Sequence, residues 1–74
     1  MNYKLYDFGE RLAKLRHKKN LSQNQLSLMS GIAVNSVCLY ENKGVLPSVI
    51  SLCAMAEVLD VTVGELLGEE AKHG

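Results

Sequence analysis

Seventy-four residues allow one domain at most, near the lower size at which burial alone stabilises a chain. Hydrophobic residues make up 47% and there is a single Pro, so the composition is globular rather than disordered. Net charge is zero, the longest unbroken apolar run is 52–56, far below the roughly 20 residues of a membrane span, and no secretory signal is legible, so no membrane partner is expected.

Five helices are legible from their capping signals. Asp7 is placed to cap the first, with Glu10 completing a D-x-x-E box and Phe8, Leu12 and Leu15 on one face. Asn20 tolerates the left-handed conformation in which a helix ends. Ser22 and Gln25 form an S-x-x-Q box flanked by a Leu21–Leu26 staple, opening a second helix that Gly31 closes. A third helix is predicted over 34–42, with Gly44 beyond it as a stop. Pro47 and Ser48 announce a fourth, with Val49, Leu52, Cys53, Ala56 and Leu59 as its buried stripe. Asp60 breaks the chain. Thr62 and Glu65 then open a short fifth helix, stapled by Val61 and Leu66, that ends at Gly68. No strand alternation competes. The expected fold is all-α and five-helical, one domain over 7–68 with frayed ends at 1–5 and 69–74.

Two helices joined by about three residues around a Gly form a helix-turn-helix, and 23–42 fits that motif throughout. Leu26, Ile32, Val37 and Tyr40 take the apolar positions, while Ser27 and Ser30 are small where the helices approach. On a helical wheel Glu41 lies beside Val37 and Tyr40, so its carboxylate needs a buried partner. Charge is unevenly spread: residues 1–43 are four net positive and 44–74 four net negative. One end of the molecule is therefore suited to approach phosphates.

The segments FGERLAKLR, LSQNQL, SGIAVNSVCLYENKG, PS and LDVTVGELL, in that order and spacing, resemble the phage-repressor and Cro-like helix-turn-helix regulators from about Phe8 to Leu67. The resemblance implies a compact lambda-repressor-like domain and a small cytoplasmic repressor. It would bind double-stranded DNA sequence-specifically as a homodimer, with its third helix in the major groove. It implies that Gln23 contacts the phosphate backbone and that Val34, Asn35, Ser36, Cys38 and Leu39 reach bases or flanking phosphates. Asn42 and Lys43 would touch backbone from the following loop, and Arg16 would pair with Glu41 to tie the first helix to the third.

The sequence departs from that pattern at the reading face itself. Asn35, Leu39 and Asn42, with Cys38 alongside, include no Arg or Lys, the residues that make the commonest base contact, to guanine. Ala33 stands where a Ser or Thr cap would be, and Leu28, Met29 and Ile50 are apolar on surfaces usually polar. Two readings stay open. In one, Asn35 reads adenine while Val34 and Leu39 meet thymine methyl groups. In the other, the apolar third-helix face binds a protein or a second copy of the chain, the motif serving as scaffold. Val45, Leu46 and Ile50 are candidate dimer-interface residues. No nucleophile–base pair, paired carboxylate or phosphate-cradling loop is visible, so no enzyme, cofactor or metal is expected. Cys38 and Cys53 lack metal-ligand spacing; Cys38 is read as a small filler within the DNA-facing helix and Cys53 as core. His17 is read as part of a solvated basic face and His73 as tail.

Overall fold

In the computed structural model, which describes residues 7–69, the helices run α1 (Phe8–Lys18), α2 (Gln23–Ser30), α3 (Val34–Lys43), α4 (Val49–Leu59) and α5 (Val63–Leu66). Among the described residues there is no strand. Helix α1 packs on α3 and α5, α2 packs on α3 and α4, and α4 packs on α5. The shared core is Phe8 and Leu12 of α1, Leu26 of α2, Val37 of α3, Leu52, Met55, Ala56 and Leu59 of α4, and Leu66 of α5. Every helix thus contributes to one apolar centre, which fixes their mutual angles.

Local chemistry sets most of the boundaries. The Ser22 hydroxyl accepts from the Gln25 N–H at 3.0 Å while the Gln25 side-chain Oε1 accepts from the Ser22 N–H at 2.7 Å. Thr62 and Glu65 repeat the exchange at 2.9 and 3.0 Å. Each box satisfies two donors that a helix start would otherwise leave open. Ser48 caps α4 through the Ser51 N–H at 3.2 Å. Asn20 and Asp60 both take the left-handed conformation at φ 58°, which short polar side chains tolerate.

Three expectations are corrected. Asp7 makes no cap: its backbone, at φ −113° and ψ 26°, lies outside the extended conformation of a capping residue. Its carboxylate instead pairs with Arg11 one turn along α1. Cys53 is exposed rather than core, because the inward face of α4 is set by Leu52, Met55, Ala56 and Leu59 and Cys53 lies about 100° around the helix from Leu52. Val49, also assigned to the buried stripe, is the first residue of α4 and is 73% exposed. The expected frayed ends lie outside the described residues except for Glu69, whose N–H donates to the Gly64 carbonyl at 2.8 Å.

Candidate nucleic-acid interface

The angle between α2 and α3 is fixed by a short, hydrogen-bonded turn. Gly31 sits at φ 76°, a conformation that costs a residue with a Cβ. The Ser27 hydroxyl donates to the Ile32 carbonyl at 2.5 Å, and the Ile32 N–H donates to the Ser30 hydroxyl at 3.3 Å. The two serines therefore hold the turn by hydrogen bonding as well as by being small. Helix α3 starts without a side-chain cap at Ala33; the Ala33 carbonyl accepts from both Ser36 and Val37, at 3.0 and 3.2 Å.

On the inner side of α3, Val37 is buried and Tyr40 packs partly against the core. On the outer side Asn35, Leu39 and Asn42 are exposed, Leu39 to 47%, and Lys43 is exposed after them. At spacings of four and three residues these three side chains form one strip. Val34, Ser36 and Cys38 are half-buried at its edges. Of the residues assigned to DNA, six therefore lie on or beside this strip: Val34, Asn35, Ser36, Cys38, Leu39 and Asn42. Lys43 follows them at the end of the helix.

Gln23 and the Cys38 thiol are arranged differently. Gln23 is half-buried at the start of α2, and its Nε2 donates to Glu41 Oε1 at 3.0 Å. The Cys38 thiol donates to Gln23 Oε1 at 3.1 Å. Cys38, expected to face DNA, is thus turned toward α2.

Glu41 is also the partner of Arg16. Arg16 Nε and Nη2 donate to the two carboxylate oxygens at 2.7 and 2.9 Å, a bidentate pair, and Nη1 donates to the Leu21 carbonyl at 2.8 Å. The two side chains are only 10% and 4% exposed. Burial works against the charged form of Glu41, but the hydrogen bonds from Arg16 and Gln23, with the positive charges of Arg16 and His17, outweigh it. They hold the carboxyl below its usual range. The hydrogen bond to Glu41 likewise holds the Arg16 guanidinium above its ordinary value. The Arg16–Glu41 pair thereby ties α1, the α1–α2 turn, the start of α2 and α3 together.

A second constraint was not read from the sequence. Gly9 is buried where α1 crosses the end of α3, and a Cβ there would stand 2.7 Å from the Tyr40 carbonyl oxygen and nearer still to that of Glu41. Only Gly lets the two backbones meet. A Gly in the first turn of a predicted helix, where Ala would be more stable, is the signal that could have found it. The other ion pairs, Lys14–Glu10 at 3.9 Å and Lys19–Asp60 at 3.7 Å, are exposed and contribute little. Among the described residues no helix is long and apolar enough to cross a membrane, and no cluster of His, Cys, Asp and Glu could hold a metal ion.

Comparison with known proteins places this geometry. A helix-turn-helix family profile matches residues 12–66. The HTH-type transcriptional regulator AnsR of Bacillus subtilis is 39% identical over 61 residues, covering 82% of this chain and 53% of AnsR, so the chain spans about half the length of that relative. The restriction-modification controller protein C.AhdI of Aeromonas hydrophila is 35% identical at a TM-score of 0.77, covering 84% of this chain and 94% of that one. SinR, a master regulator for biofilm formation solved in complex with DNA, is 33% identical at a TM-score of 0.76, covering 81% of this chain and 97% of the other. With the five-helix core, the bonded turn and the family match spanning most of its length, this chain belongs to the XRE-type helix-turn-helix family.

Proposed function

We propose that this chain is a DNA-binding transcription regulator of repressor type that sets α3 into the major groove of a duplex site. The observation that carries this reading is the strip of Asn35, Leu39 and Asn42, uncovered on a helix whose opposite face is buried and latched through Glu41. Asn35 offers the amide for a bidentate bond to an adenine edge, and Leu39 with Val34 offers apolar contact to thymine methyl groups. Lys43, Asn42, Ser36 and Gln23 supply backbone contacts, and the positively charged part of the chain adds attraction. An A·T-rich site follows from that chemistry.

One recognition helix reads few base pairs, so we assign a homodimer on a two-fold site, its half-sites about 34–36 Å apart. Ile50 and Val49, 83% and 73% exposed, with Leu46 beside them in sequence, supply apolar material for such a contact. The cytoplasm, where regulators of this kind meet DNA, is the assigned compartment.

Selection of bound duplexes from a random pool tests the assignment. The expected result is a two-fold motif in which Asn35→Ala loses selectivity at one base pair while non-specific affinity survives; a bidentate pair is worth about 1–3 kcal/mol of discrimination. Few bases lie near α3, so the slope of log K against log salt should correspond to about 2–4 phosphates per subunit. The second reading, a protein-binding face, is favoured by the exposure of Leu39 and of Leu28, the latter at 83%. It would replace the first if Leu39→Ala removed a protein partner while neither substitution altered DNA selectivity.

A further inference from the structure

The Gln23 side chain is held by two groups of α3, and the polarity of those groups settles which way its amide faces. Glu41 Oε1, already accepting from Arg16, lies 3.0 Å from Gln23 Nε2. With the amide turned over, a carbonyl oxygen would face a carboxylate, two acceptors with no proton between them. The Cys38 thiol meets the other end of the amide at 3.1 Å, and a thiol supplies the donor that Oε1 requires. The contact with Glu41 therefore selects one orientation of the amide, and the thiol hydrogen matches it.

That orientation has a consequence for binding. A side-chain amide reads adenine by using its oxygen and its nitrogen together, and each end of the Gln23 amide already uses one of its two hydrogen-bonding positions inside the protein. What is left is one hydrogen on Nε2 and one lone pair on Oε1, on a residue that is only half-buried at the start of α2. We propose that Glu41 and Cys38 are positioning residues for Gln23: they hold its amide so that the remaining Nε2 hydrogen is offered to one DNA phosphate oxygen. This rests on the DNA-binding assignment above and moves Cys38 from a DNA contact to a group acting through Gln23. The donor is neutral, so it strengthens binding without the counterion release that accompanies a cation.

The test replaces single phosphates of the selected duplex, one at a time, by uncharged methylphosphonate and measures Kd for four proteins. These are the native chain and the variants Cys38→Ser, Cys38→Ala and Gln23→Ala, each first shown by circular dichroism to be folded. For the native chain, one phosphate per half-site should stand out, its replacement weakening binding about tenfold, as expected for a hydrogen bond to a charged group. Cys38→Ala and Gln23→Ala should lose sensitivity at that phosphate and keep it at all others. Cys38→Ser, which retains a donor, should restore it. Base selectivity and the salt slope should be unchanged in all three variants. A purely structural role for Cys38 would reduce stability without removing one phosphate's effect.

Unchanged sensitivity at every phosphate in Cys38→Ala overturns the positioning role, and a change in selectivity at a single base pair overturns it in favour of direct reading. A native chain that binds no duplex overturns the DNA assignment itself, a different outcome from either.

Discussion

Replacing Arg16 with Ala would remove three hydrogen bonds at once, two to Glu41 and one to the Leu21 carbonyl. It would leave a carboxylate that is 4% exposed with Gln23 as its remaining hydrogen-bond donor. The carboxylate can escape by taking up a proton, and that escape bounds its penalty: protonating a group of pKa about 4.3 at pH 7 costs about 3.7 kcal/mol. The orphaned Leu21 carbonyl adds about 1 kcal/mol. The loss is therefore about 3–5 kcal/mol, the range for breaking one partner from a buried pair. A chain of this length has about 4–11 kcal/mol in total, so most of the stability would go. With a urea m-value of about 1 kcal/mol per molar, the midpoint should fall by about 3–5 M or the transition should vanish. The assay is urea unfolding followed by circular dichroism at pH 7, run beside the double variant Arg16→Met with Glu41→Gln. Because the double variant buries no unpaired charge, it should recover at least half of the loss. A midpoint within about 0.5 M of the native value, about 0.5 kcal/mol at that m-value, would refute the latch, as would a double variant no more stable than the single one.

Two further predictions follow from the same contacts. Because the Glu41 carboxyl is held below its usual range in the folded chain, it contributes stability that is fully present above its unfolded pKa of about 4.3. That stability is lost as pH falls through the lower folded value; denaturant midpoints measured from pH 7 to pH 2 should show the fall, and Glu41→Gln should flatten this part of the profile. Gly9→Ala, ordinarily favourable within a helix, should instead destabilise by about 1–3 kcal/mol because the added carbon meets the backbone of α3; thermal melting checks the sign, and a raised Tm would show that α1 can move aside.

What could be read from the sequence was mostly what is decided within one turn of helix. The Ser22–Gln25 and Thr62–Glu65 boxes and the turn at Gly31 depend on residues five or fewer apart, so pattern and geometry coincide. Asp7 shows where local reading fails, since both the helix start and Arg11 compete for one carboxylate and nothing in the spacing ranks them. Cys53 failed for lack of contrast: Val49, Ile50, Cys53 and Ala54 are all apolar, so hydropathy does not mark which face of α4 turns inward. The helical wheel says only that Glu41 needs a buried partner; that the partner is Arg16 is what the family resemblance implies. The Gln23–Cys38 bond joins residues 15 positions apart, and no periodicity reports a contact of that kind. The abutment at Gly9 left a trace as an unfavourable residue in a helix, but that trace does not say what fills the space.

Most of what seats α3 lies on the side of it turned away from Asn35, Leu39 and Asn42, with Cys38 at the edge of that strip. Val37 is in the core, Cys38 and Glu41 are in the polar latch, and Gly9 meets the main chain at Tyr40 and Glu41 rather than any side chain. The three exposed positions contribute almost nothing to holding the domain together, and surface substitutions of that sort usually change stability by no more than about 0.5 kcal/mol. The reading strip is therefore modular: its letters can be rewritten by mutation, in evolution or at the bench, while the frame that presents them stays at the same angle.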